Sequence, residues 1–486
     1  MTTPGTRLTE YLASLSERDL TARLTQYAAI TLLDNVACGL YGARQPWSRM
    51  MIDFVKSQQS RGRATLYGDA EPMAPVHAAL ANGTSTHSFE LDDVFLGALS
   101  HPGAAVVPAA LAVAETEGTS GALLLLALVA GYETMWRVAR ALNTAHNHRG
   151  FHTTSIAGPI AATVAAGVVM GFDTRQLNSA IGLAASCASG IKAFTQGTGG
   201  MVKRMHPGRS AEAGVLACEL AKRGFSGPQQ GIDGRYGLLE VFEGETARPH
   251  LLDEALGNSF AITHVHVKVW PCCSLLHSAV QALETIKRQH ALSPAQIRSI
   301  RIGTSGRVIA QNGDPDPRET MAAQYSLPFC AGAALAADAQ DPVTFESRNL
   351  GNESVRALMQ RVELLRDPEI DAQFPDHFGA KAEVTLATGE ILRAAVLDPH
   401  GTPADPCSLD ELETRFRRLT ATVKTAEAAE RIIVAVRDLR TASSLAEFSS
   451  AVRDGDLTTE AAVAGKGPAD NRSLTPPCSP SPLHRA

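Results

Sequence analysis

A chain of 486 residues exceeds what one ordinary core holds and predicts two or three domains of roughly 100–200 residues each. Hydrophobic residues at 44% and charged residues at 19% give the balance of a soluble globular protein. A formal net charge of −6 supplies no global attraction to nucleic acid or to an anionic membrane, so neither is expected as a partner, and an anionic ligand must be drawn in by local Lys, Arg and His.

The first half reads mainly as helix. Apolar residues recur at three- and four-residue spacing over 20–40, 74–86, 106–115, 122–142, 156–170, 177–188 and 211–223, with Gly118, Gly150, Gly171, Gly224 and Pro228 as punctuation. The scarcity of aromatic residues and the abundance of Ala and Gly predict closely packed helices. Two apolar runs need a membrane check. The run 122–131 is too short to span, and 155–172 carries Gly158, Pro159, Gly167 and Gly171, so both read as buried core helix.

The character changes near Ala261. Alternation of Val265, Val267 and Val269 with His264, His266 and Lys268 predicts a strand over 262–270, followed by a helix over 272–289. A short alternating segment at 297–302, and a hairpin over 382–386 and 391–396 around Thr388-Gly389-Glu390, complete the β content. Helix returns over 408–420 and 426–439. The fold class is therefore α+β: a helical domain over 1–261 completed by 399–455, with a smaller α+β lid inserted at 262–398. From about Gly465 the composition turns to Pro, Ser, Gly and Arg, and 465–486 is expected to be a disordered tail.

The eight cysteines are scattered without a C-x-x-C pair, which predicts free thiols, mostly buried. The stretch from Met1 to Arg7 lacks the apolar core of a signal peptide, and a cytoplasmic protein is expected.

Chemistry concentrates in four polar islands set among apolar stretches. The first is Phe89-Glu90-Leu91-Asp92-Asp93 with His101-Pro102-Gly103; buried acids are costly unless paired, although a solvated loop is the plainer alternative. The second is Arg149-Gly150-Phe151-His152-Thr153-Thr154, which places His152 at a helix start, where the dipole disfavours its charged form and suits it to act as a base. The third runs from Gly197 through Lys203-Arg204-Met205-His206-Pro207-Gly208 and reads as a flexible basic loop able to meet an anion; it lacks the phosphate-loop pattern and follows no strand. The fourth is Lys268-Val269-Trp270-Pro271-Cys272-Cys273 with His277, where Lys268 ends the predicted strand at a domain junction. The adjacent cysteines have no second pair, so a metal is not expected.

Converging in one pocket, Lys203 and Lys268 would hold carboxylates as point charges, and His101 and His152, with Asp93 nearby, would transfer protons. The reaction class this suggests is proton abstraction beside a carboxylate, or protonation of a carbanion.

The order ELDD, HPG, FHTT, GGMVKRMHPG and VKVWPCC with a following His, over about 8–439, resembles the MmgE/PrpD family. The resemblance implies a large helical domain with a smaller lid, an active site between them, no metal or organic cofactor, and a homodimer. It implies a lyase: a 2-methylcitrate dehydratase-like hydro-lyase of propionate metabolism first, a cis-aconitate decarboxylase-like carboxy-lyase second, an epimerase of a dicarboxylate third. A non-catalytic helical binding protein is the reading from a different class. Carried over by motif, Asp93, His101 and His152 are the catalytic candidates, and Glu90, Asp92, Lys203 and Lys268 the substrate-binding ones. Two departures stand out: Val94 follows the acid pair where some members have Thr, and Phe329 is expected where some have a pocket tyrosine.

Overall fold

The computed structural model describes residues 2–195, 200–374 and 376–455, so the expected tail at 465–486 lies outside the described residues. The helices that build the body are Ala22–Gly42, Pro75–Thr86, Gly103–Glu117, Gly121–Ala141, Thr153–Val169 and Met201–Lys222. Thr153–Val169 packs against Gly121–Ala141, Gly103–Glu117 and Met201–Lys222, and Met201–Lys222 packs in turn on Pro75–Thr86. Small residues make this possible: a Cβ on Gly83 would stand 2.7 Å from the Gly208 Cα, and one on Gly214 would stand 2.6 Å from the Ala162 Cβ. The Gly121–Ala141 helix is long and apolar enough to cross a bilayer, but 89% of its most apolar window is buried inside the protein.

Beyond residue 290 a four-stranded sheet forms in the order β2-β1-β3-β4, from β1 (Ile297–Thr304), β2 (Val362–Arg366), β3 (Ala380–Leu386) and β4 (Ile391–Val396). β1 runs parallel to β2 and antiparallel to β3, and β3 and β4 form the expected hairpin. The His277–His290 helix covers β3 and β4. Leu409–Thr420 and Ala426–Asp438 then return to pack on Ala22–Gly42.

Three expectations need correction. The segment 262–270 is not a strand: Ala261–His264 is a 3-10 turn, and only His266 pairs, in an isolated antiparallel bridge to Val94. Its alternation does not separate an inside from an outside, because Val265, His266, Val267 and Lys268 are all buried. The helix after it begins at His277 rather than Cys272, behind a short 3-10 turn at Ser274–Leu276. The expected basic loop is largely helix: Met201–Lys222 carries Lys203 and His206 in its first turns, while Gly197, Thr198 and Gly199 lie outside the described residues. Pro207 sits inside that helix and cannot bond to the Lys203 carbonyl, which is why the local pattern reads as a break.

Candidate active site

The acid loop after Pro75–Thr86 brings four islands together. Glu90 adopts φ +55°, a left-handed conformation that an ordinary side chain enters only when its surroundings compel it. Its carboxylate forms ion pairs with both lysines: Lys203 directly, and Lys268 at 3.0 Å, with the Lys268 ammonium also 3.3 Å from the Glu90 carbonyl. The Tyr325 hydroxyl lies 2.9 Å from the Lys203 Nζ. Burial alone would push Glu90 up, but Lys203 and Lys268 hold it well below the usual carboxylate range. Burial would likewise lower Lys268, and Glu90 and Asp92 outweigh it, so this ammonium is raised.

Asp92 turns the other way. Its Oδ2 stands 2.7 Å from the His87 Nδ1 and 3.1 Å from the His101 Nδ1. The His101 Nδ1 is also 3.0 Å from the Asp93 carbonyl, and its backbone N–H donates to the Thr154 hydroxyl at 3.1 Å. With Nδ1 engaged, Nε2 is the nitrogen of His101 left for proton transfer. Burial drives His87 down to about 4, so it is neutral at physiological pH.

His152 is the N-cap of Thr153–Val169, and its Nδ1 is 3.0 Å from the His206 Nδ1. Burial, then His206, Lys203, His87 and His101, hold His152 well below its ordinary value. The His87 ring is 4.6 Å from that of His101 and 6.3 Å from that of His152, so the histidines form one continuous group. The lysines, the acid loop and both candidate histidines therefore share one buried cluster.

Asp93 stands apart in role. Its Oδ1 accepts the Gly103 N–H at 2.9 Å, capping the Gly103–Glu117 helix, and its Oδ2 accepts from the Tyr132 hydroxyl at 2.5 Å and from Asn35 at 3.4 Å. Both oxygens face the body rather than the lysines. Burial raises this carboxyl to about 8.

A tyrosine does reach the lysines, from four residues before Phe329. Tyr325 lies at the lysines, while Phe329 is buried against Phe345 with ring centroids 5.7 Å apart. A tyrosine hydroxyl thus stands at the lysines although Phe329 does not supply it; Val94 stands after the acid pair, buried. Besides Tyr325, sequence reasoning missed His87 and gave His206 no role. His87 caps the end of an apolar helix and looks like core until Asp92 folds back on it.

His87, Asp92 and His101 offer three donor atoms within 4.8 Å of one another and could hold a metal ion. Occupying that position would break the contacts of both imidazole Nδ1 atoms to Asp92, so the arrangement suits a hydrogen-bonded relay better. A cleft of about 510 Å³ lined by Trp136, Arg140, His264, His266 and His377 includes none of the lysine-cluster residues.

Residues 6–249 match the MmgE/PrpD N-terminal domain and residues 270–441 the MmgE/PrpD C-terminal domain. The cis-aconitate decarboxylase-like protein oryM of Aspergillus oryzae is 29% identical over 473 residues, 93% of this chain and 97% of that protein. The cis-aconitate decarboxylase of Aspergillus terreus is 26% identical over 436 residues, 85% of this chain and 88% of that protein. The human cis-aconitate decarboxylase is 26% identical over 471 residues, 94% of this chain and 95% of its own length.

Proposed function

The chain belongs to the MmgE/PrpD family and is accordingly a lyase; from that premise we propose that it decarboxylates a cis-aconitate-like tricarboxylate without a metal or organic cofactor. The observation that carries the reading is the carboxylate of Glu90 held between Lys203 and Lys268 beside an Asp92–His101 pair. A site that stabilises a buried carboxylate with two ammonium groups is suited to a substrate carrying several. The relatives named above favour decarboxylation over the dehydration that the sequence placed first.

In this reading Lys203, Lys268 and Tyr325 hold the retained carboxylates. The third carboxylate leaves as CO2 from the saturated carbon, and its bonding electrons pass into the adjoining double bond. A proton arrives at the far end of that allyl system from His101, whose Nδ1 is supported by Asp92, with His152 as the second proton carrier. Asp93 serves from behind by fixing the loop to the Gly103–Glu117 helix. The helical body and the lid at 262–398 are part of the same proposal, as are a homodimer and a cytoplasmic setting. The seven described cysteines are all free, which supports a reducing compartment.

The test is incubation of the pure protein with cis-aconitate, citrate and 2-methylcitrate in deuterated water, followed by NMR. Release of CO2 from cis-aconitate with one deuterium in the product is expected. Water loss from 2-methylcitrate alone would instead establish the dehydratase, and deuterium entering without net loss of substrate the epimerase. Lys203→Ala should abolish turnover while the chain stays folded; a binding protein would show no turnover to lose.

A further inference from the structure

Residues Ser88 to Asp93 cross the site as turns and bends, and side chains from distant elements hold their carbonyls almost one by one. The Arg204 Nε donates to Ser88 at 2.8 Å, the Gln324 amide to Phe89 at 2.7 Å and the Arg415 Nη2 to Leu91 at 3.0 Å, beside the contacts of Lys268 and His101 already described. Arg415 differs from the others. It comes from the Leu409–Thr420 helix, more than three hundred residues along the chain, and touches neither lysine nor histidine. Its Nε is fixed by the Asp34 carboxylate at 2.8 Å, and its Nη2 also stands 3.7 Å from the Cys38 Sγ. The guanidinium is thus anchored to Ala22–Gly42 by one arm and directs the other at the loop.

Resting on the assignment of this cluster as the active site, we propose that Arg415 is a positioning residue. It grips the Leu91 carbonyl, and so fixes the peptide that leads from left-handed Glu90 into Asp92. That one peptide sets two things together: the reach of Glu90 to the lysines, and the support that Asp92 gives His101. A left-handed glutamate is strained and persists only when over-determined from outside. Backbone donors cannot supply that here, because the loop belongs to no sheet or helix. Arginine suits the task, since its planar fork serves two acceptors in fixed directions where a lysine serves them as a point charge.

Arg415→Met alone strands a buried Asp34 charge and is expected to fold poorly. The informative variant is Asp34→Asn/Arg415→Met, which removes both charges together, with Arg415→Lys as the conservative partner. The double variant is expected to melt close to the wild type and to lose about 10²-fold in kcat/KM, chiefly in kcat. Arg415→Lys should fall between the two. A second readout needs no substrate: labelling of Lys203 and Lys268 with a succinimidyl ester, mapped by peptide mass spectrometry, should run severalfold faster in the double variant. If no acid is turned over yet labelling accelerates, the decarboxylase reading fails and the role of Arg415 stands. A folded variant, double or Arg415→Lys, that labels at the wild-type rate overturns the proposal, whatever its activity.

Discussion

At Glu90, burial works to neutralise a carboxylate that two ammonium groups work to keep charged, and the ammonium groups win. A carboxyl held below its unfolded value contributes stability that is fully present above about pH 4.3 and is lost only as pH falls through the folded value. At neutral pH the whole contribution is therefore in place. Glu90→Gln removes it and leaves two buried cations facing each other, which should cost about 3–5 kcal/mol in urea unfolding at pH 7.5. Asp93 has the opposite sign. Its folded value is about 8, against roughly 3.9 unfolded, so the native carboxyl keeps a proton that the unfolded one releases, and stability declines as pH rises between those values. Asp93→Asn mimics the protonated form. Between pH 6 and 8 it should lose about 2 kcal/mol less than the wild type, measured as the shift in urea midpoint. It should also keep most of its turnover, whereas His101→Asn should lose about 10²–10⁴-fold. A collapse of kcat in Asp93→Asn would return this residue to the chemistry.

The Met201–Lys222 helix delivers both Lys203 and His206, and its distance from Pro75–Thr86 is set by Gly208. A Cβ there would stand 2.3 Å from the Leu80 carbonyl oxygen and 2.4 Å from the Thr84 hydroxyl. The carbonyl cannot rotate away, so Gly208→Ala must separate the helices. It is expected to cost about 1–3 kcal/mol and to lower activity as Lys203 withdraws from Glu90; an unchanged denaturation midpoint would show that the pair can slide. This element also marks the limit of what the chain discloses. Lys203 is legible as a candidate, but the helix that carries it is not, because internal Pro207 and the preceding glycines imitate a loop. β1, β3 and β4 are legible through alternation and the Thr388-Gly389-Glu390 turn. β2 escapes notice because, as a partly exposed edge strand, it buries no clear face. The 262–270 segment errs the other way, since burial on both faces defeats any pattern rule. Gln324 ends a helix of only five residues and Tyr325 caps it before an apolar run, and nothing local marks them as facing an acid loop more than two hundred residues away.

For the molecule as a whole, the same burial that closes the site builds in an acid sensitivity. His87, His146, His152, His206, His266 and His277 are buried, and burial is the foremost cause lowering each of them. Where values are resolved, His87 and His206 lie at about 4 and His266 at about 3. Unfolded histidines titrate near 6.5, so below that pH the unfolded chain takes up protons that the native state refuses. The histidine contribution is thus full above about pH 6.5 and falls as pH drops toward the folded values. Each such histidine contributes about 1.4 kcal/mol per pH unit, hence about 3 kcal/mol for His87 by pH 4. Against a total of roughly 5–15 kcal/mol, several of them together are decisive. Glu90 and Asp92 cannot compensate, because both are held well below their usual range and begin to protonate only after the histidines have acted. Urea midpoints from pH 8 to 4.5 should accordingly fall steeply below pH 6.5, the proton uptake of the unfolded histidines outweighing the single proton that Asp93 releases on unfolding. His266→Gln, outside the lysine cluster, should reduce that slope by one proton, and a wild-type profile that stayed flat down to pH 5 would mean that these imidazoles are charged in the native state.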